Sequence, residues 1–441
     1  PPPPVAEEPT TLKEDRDAAP ESFEPLLGPY LVDAETKNLL HGRAGIRQYI
    51  QATSNGLEDY WRTVFDTAGT VERLGGTPWT LEWSMDAIYR GGDALSATEH
   101  YEEVYPEVRR LSLVRRFDDH SIARVGRFLS TQLPAVGTLD GIHSELVLGP
   151  YLRIGGMLGF RPDRDDLAPS GKEPTLVSYT TFYWQKEQEK TYSATGGFLF
   201  SAYEGKADRL AFLFDQHARV GRWSLFSTSE IDFDSGSALV NDGVRLTRWD
   251  LSTRYQLGAT SLHAGLSRFG IPDTRAERDH FQVRTVTQAA FLEDDQWRMS
   301  LGASHRLTKS LTFEEEVSFI DSEATDDQLL WLVGLTKRDW IVRGSNLSLR
   351  FYQLGGEDLV GYGGSITGYF PLMGSRLALM PSLSARMSDL DAPDSDLEVG
   401  DIGMRLHWRF ADHWSLTSGA VFTDADDIDR FRFDLGMTIR W

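Results

Sequence analysis

Alternation of apolar and polar residues constrains this sequence more than any other feature. It runs in segments of roughly ten residues from His41 to the last residue, with turn residues between them. Val244 to Leu257 is the clearest case. Thr247, Trp249, Leu251, Thr253, Tyr255 and Leu257 make one row, and Arg248, Asp250, Ser252, Arg254 and Gln256 make the other. The pattern returns at Phe281 to Phe291, Trp297 to Arg306, Leu347 to Tyr352, Ile402 to Phe410 and Phe431 to Trp441. About 20 such segments follow His41, each the length of a β-strand. Helical periodicity is scarce; the best amphipathic candidate is the acidic stretch Ser96 to Val108. Wholly apolar runs are short, as in Leu329 to Val333, whereas a membrane-spanning helix needs ~20 apolar residues.

Alternation fits either a soluble sandwich or a barrel in a membrane. Three features favour the barrel. About 20 strands exceed the ~10 that a strongly twisted open sheet sustains. Tryptophans sit near strand ends (Trp249, Trp297, Trp331, Trp340, Trp408, Trp414 and Trp441), where membrane barrels carry aromatic girdles. The polar rows are also crowded with arginine, which a wet lumen accommodates. No blade repeat of a propeller is present. Connections vary in length: Ala411 to His413 is tight, whereas Arg161 to Thr175, Ile271 to Asp279, Ser388 to Gly400 and Thr423 to Asp429 are long and acidic. The expected fold is a single-chain, all-β antiparallel transmembrane barrel of about 16–22 strands with long acidic extracellular loops. Pro381 falls on an apolar row, so a bulge or strand end is expected there.

Composition narrows the function classes. The 441 residues carry 45 Lys+Arg against 66 Asp+Glu, a net charge of -21, which argues against a nucleic-acid partner. There is no cysteine, so disulfides, Cys-held metals and thiol catalysis are excluded. The mean hydropathy of -0.35 looks soluble only because it averages an apolar row with a polar one. Residues 1–38 differ in texture. Four opening prolines, then Pro9, Pro20, Pro25 and Pro29 among acidic residues, read as a flexible periplasmic arm, with residues 39–441 as the barrel. The chain opens at Pro1, so a signal peptide is expected to be absent from this sequence.

The last strand, Phe431 to Trp441, ends on an aromatic residue preceded by alternating aromatic and apolar residues. It resembles the C-terminal signature of Gram-negative outer-membrane β-barrels. The stretch Ile122 to Arg161, with Gly126–Arg127, Gly137 to Gly141 and Gly155–Gly156, resembles porin-like barrels. The resemblance implies an outer-membrane location, contact with lipid and lipopolysaccharide, and recognition of the last strand by the barrel-assembly machinery. The arm could meet a periplasmic partner.

The informative chemistry lies on the polar rows. The register places Arg110, Arg116, Arg153, Arg161, Arg248, Arg254, Arg284, Arg298, Arg306, Arg350, Arg376, Arg386, Arg405, Arg409, Arg430, Arg432 and Arg440 inside. Glu82, Asp86, Asp215, Asp232, Asp250, Glu314, Glu316 and Asp434 share that face. Rings of arginine select anions, so the expected function is passive passage of small anionic solutes. An arginine–acid ladder that only braces the wall is the bland alternative. The arginine excess also resembles that of alginate-exporter barrels, which implies an export conduit for an anionic exopolysaccharide as a second reading. A structural barrel with an occluded lumen, part of an envelope complex, is the third. Catalysis finds little support. Thr53–Ser54–Asn55–Gly56 resembles the Ser–Asn–Gly of outer-membrane phospholipases but lacks the histidine that would serve as base. Asp424, Asp426, Asp427 and Asp429 lack the spacing of an EF-hand, and no metal or cofactor is expected.

Overall fold

A computed structural model describes residues 38–441 apart from 55–58, 94–99, 118–119, 165, 187–189, 234–242, 282–294, 323–326, 357–358, 391–396 and 426–428. The expected arm, except Asn38, and Arg284, Asp426 and Asp427 lie outside the described residues.

The alternating segments form 22 strands. In chain order they are β1 (Leu39–Thr53), β2 (Tyr60–Glu72), β3 (Trp79–Asp93), β4 (His100–Arg116), β5 (Ile122–Leu129), β6 (Thr138–Val147), β7 (Leu152–Phe160) and β8 (Pro174–Gln185). Then come β9 (Lys190–Tyr203), β10 (Lys206–Val220), β11 (Trp223–Phe233), β12 (Val244–Leu257), β13 (Thr260–Phe269), β14 (Gln296–Arg306), β15 (Leu311–Ser322) and β16 (Gln328–Arg338). The last six are β17 (Asn346–Gly355), β18 (Leu359–Leu372), β19 (Leu377–Leu390), β20 (Leu397–Trp408), β21 (Trp414–Ala425) and β22 (Arg430–Arg440). Each pairs antiparallel with the next. β1 pairs with β22 from Arg43 opposite Arg440 to Thr53 opposite Arg430, which closes the barrel. Closure leaves no sheet edge, so the backbone groups of the wall can be satisfied in lipid. At ~3.3 Å per residue and a tilt of ~40°, an 11-residue strand such as β22 rises about 28 Å, the scale of an apolar membrane slab.

The two faces of the wall are chemically distinct. Ile46, Phe65, Leu158, Phe198, Met299, Leu301, Ile366, Leu383, Ile402 and Leu435 stand exposed on one face. The opposite face holds many of the ion pairs described below and an apolar cluster. The turn between β5 and β6 folds back over that face, so that Leu133 and Val136 pack with Phe128, Leu139, Met157, Val177, Leu199 and Leu213. A closed wall with charged groups and a folded-in turn on one side and a bare apolar belt on the other has the first side as its lumen. Neighbouring strands come very close beneath the turn. A Cβ on Gly141 would lie 2.0 Å from the Leu158 carbonyl oxygen, and Gly126 has a φ of 117°. Only glycine fits the first, and the second is a backbone region that glycine tolerates best.

The four connections expected to be long join odd strands to the following even strands, and so lie at one end of the barrel. Ala411 to His413 lies at the other, with turns as short as residues 221–222 and 258–259. Several local expectations are corrected. Ser96 to Val108 is not a helix: its described part is the first half of β4, where Val104 is 72% exposed opposite Tyr89. The strand-favouring Tyr101, Val104, Tyr105 and Val108, together with Pro106, outweigh the acidic residues that suggested a helix. Phe281 is not in a strand; it caps a short helix, α1 (Arg275–His280), inside the connection expected to be only a loop. Thr247 is bulged out of the β11–β12 register and donates to the Asp232 carboxylate on the lumen side. Pro381 neither ends nor bulges its strand. The β18–β19 ladder skips from Thr367–Ser382 to Phe370–Leu379 without a change of register, and the β19–β20 ladder pairs Pro381 with Met404. Only the side that needs an N–H is interrupted.

Candidate functional site

Strand parity puts the described arginines Arg110, Arg116, Arg153, Arg248, Arg254, Arg298, Arg306, Arg350, Arg386, Arg405, Arg430 and Arg432 on the face that carries Asp250 and Asp434. Arg161, Arg376 and Arg409 stand in connections just beyond strand ends. Arg161 reaches Glu173 at 2.9 Å.

Many of these arginines are already committed. Arg110 and Arg124 share Glu82 at 3.6 and 3.4 Å, and Arg153 holds Glu145 at 3.1 Å. Arg248 meets Asp250 at 2.8 Å, Arg298 meets Glu316 at 3.6 Å and Arg350 meets Glu314 at 3.4 Å. Such pairs brace the wall, as the bland reading expects. Others are open: among the described residues Arg254, Arg386, Arg405 and Arg432 form no ion pair, and the Arg432 Nε is buried without a hydrogen-bond partner. Three of these lie on β19, β20 and β22, one sector of the wall.

The seven tryptophans separate by level. Trp249, Trp297 and Trp331 lie toward the long-loop end of their strands; Trp249 and Trp297 meet edge to face at 6.4 Å. Trp340, Trp408, Trp414 and Trp441 lie at the short-turn end, and Phe410 bridges Trp408 and Trp414.

The folded-in turn, residues 130–137, was not legible in the sequence. Ser130 Oγ accepts from the Leu133 amide, and Leu133 and Val136 are buried. Its tip, Pro134 and Ala135, borders a cavity of about 460 Å³ that is also lined by Asp215, Phe226, Arg248, Asp250 and Arg298. Below the turn, Glu145 accepts from the Tyr179 hydroxyl at 2.8 Å, and the same hydroxyl contacts His143 Nε2 at 2.8 Å.

A second unexpected feature ties the long connections down. Arg164 in residues 161–173 pairs with Glu277 of α1 at 2.6 Å. Burial opposes the charge of Arg164, but the Glu277 hydrogen bond and carboxylate outweigh it and hold that guanidinium above its ordinary range. Asp208, bulged from β10, accepts from the Arg275 and Ala276 amides of α1. Arg209 beside it grips Glu230 at 2.9 Å and Asp232 at 2.5 Å. Arg127 bridges Asp140 and the carbonyls of Val108 and Leu167. Among the described residues no three His, Asp or Glu side chains converge to hold a metal ion.

No protein-family model matches the chain, and no curated protein matches it in sequence. Solved structures resemble it in shape. The P pilus usher (PapC) translocation pore aligns with 91% of this chain and 99% of its own at a TM-score of 0.46 and 10% identity. Acinetobacter baumannii OccAB4 aligns with 92% and 99% at 0.43 and 11%. Pseudomonas aeruginosa OccK3 (OpdO) aligns with 91% and 96% at 0.41 and 10%. Likenesses this distant carry no information about what moves through this barrel. Its porin-like, closed 22-stranded architecture rests on its own register and on its apolar outer belt.

Proposed function

We propose that the chain is an outer-membrane channel that passes small anionic solutes passively. The observation that carries this reading is that several described lumen arginines, among them Arg254, Arg386, Arg405 and Arg432, have no acidic partner. Guanidinium groups fixed on a wall attract carboxylates and phosphates and repel cations. The apolar belt meets lipid, and the two tryptophan levels sit at its interfaces. Short turns at one end and long connections at the other orient the barrel, with the long connections outside the cell and the termini of the wall facing the periplasm. The last strand is the one the assembly machinery engages.

Planar bilayers under a KCl gradient test this. The folded protein should conduct, with a reversal potential that shows chloride preference. Arg405→Glu combined with Arg409→Glu should move that potential toward potassium. Folded protein that inserts but does not conduct overturns the channel reading in favour of an occluded structural barrel.

A further inference from the structure

The inner wall between β10 and β14 contains a hollow with an acid at one end and a base at the other. Its floor is one row of small residues, Ser252 on β12, Gly265 on β13 and Ser300 on β14, which are directly paired across the sheet. Phe226 lines it beside that row. Two cavities of about 460 and 330 Å³ share these four residues and form one trough. The tip of the folded-in turn faces its upper part.

Most charges around the trough neutralise one another. Arg248 is held by Asp250, Glu230 by Arg209, and Arg298 by Glu316. Two remain. Asp215 lines the upper cavity and accepts a hydrogen bond from Thr228. Arg254 lines the lower. Among the described residues neither has an ion pair. Asp215 shares a row with Thr228 and Asp250, and Arg254 lies four residues further along β12. Strand spacings of ~4.8 Å and ~3.3 Å per residue then put their backbones about 16 Å apart.

We propose that this trough is a binding station for an elongated zwitterion of the short-peptide kind, with its ammonium at Asp215 and its carboxylate at Arg254. A simple anion satisfies Arg254 alone and is repelled by Asp215. A simple cation meets the converse. Only an elongated solute with a charge of each sign at its two ends satisfies both, over a floor whose hydroxyls can bond a peptide backbone. The inference goes beyond the channel reading: net anion preference comes from the open arginines as a set, Arg254 among them, whereas retention at this station depends on one acid and one base.

Calorimetric titration of the folded barrel in detergent tests it without requiring conduction, so a failed channel and a failed station are distinguishable. The probes are triglycine, N-acetyl-triglycine, which lacks the ammonium, and triglycinamide, which lacks the carboxylate. Triglycine should bind at least about tenfold more tightly than either blocked form, the scale of one charge-assisted hydrogen bond. Asp215→Asn should erase its advantage over N-acetyl-triglycine, and Arg254→Gln its advantage over triglycinamide. Equal binding of all three probes, or no binding of triglycine at millimolar concentration, overturns the proposal on the unaltered protein. Retained triglycine affinity in folded Asp215→Asn overturns it as well.

Discussion

Replacing Leu133 and Val136 together by Asp is expected to raise single-channel conductance roughly twofold, because the turn they anchor narrows the lumen. Both side chains are essentially inaccessible within the cluster of Phe128, Leu139, Met157, Val177, Leu199 and Leu213. Truncating such a leucine costs about 2–5 kcal/mol, and a carboxylate adds its desolvation cost. The barrel does not have to absorb that loss. The wall is held by strand ladders on both sides of every strand, whereas the turn is a short peptide pinned by its apolar anchors and the Ser130 cap. The cheapest response is for residues 130–137 to leave the wall while β5 and β6 stay paired. The cavity facing Pro134 and Ala135 then opens. Heat-modifiable migration on a denaturing gel would show that the barrel is still folded. Unchanged conductance from such a folded variant would show that the turn does not narrow the path.

How much of this was legible beforehand depended on how local each cause is. β12 is bounded by the same residues, Val244 and Leu257, that the alternation marks, because Trp249 and Arg248 each announce their side. The closing strand was similarly plain. The folded-in turn was not. Leu133 to Val136 is a short apolar run between two strands, and nothing within it says that side chains from β7 to β10 will cover it. Helix α1 was hidden for the same reason. Six residues cannot sustain a helix by themselves, and its first amides are held by Asp208, 67 positions away. The lumen charge was legible as composition but not as pairing. The rows gave Arg248 and Arg254 equal standing, and only the fold shows that Asp250 occupies the first and leaves the second open. Bulges at Asp208 and Thr247 were invisible, since one inserted residue preserves the run of strand-forming types while turning one side chain aside.

The assignment of faces is tested most sharply by one substitution made at two adjacent positions. Leu383 and Ser384 stand in the middle of β19. Leu383 is 47% exposed, paired with the exposed Ile366 and Ile402 on either side, so it belongs to the belt that lipid would cover. An arginine at the apolar midplane costs a membrane barrel about 2–4 kcal/mol, and Leu383→Arg should lose that much in urea unfolding from phospholipid vesicles. Ser384 points the other way. It pairs with Asp401 and donates to that carboxylate at 2.9 Å. An arginine there keeps water on its side and gains Asp401 as a partner, so Ser384→Arg should change stability by less than about 1 kcal/mol. The converse result would mean a register shifted by one residue, which would exchange lumen and lipid for every side chain at once. That all-or-none consequence makes the pair decisive: a local packing fault could weaken one variant, but only a reversed wall could make the lipid-side arginine harmless and the lumen-side arginine costly.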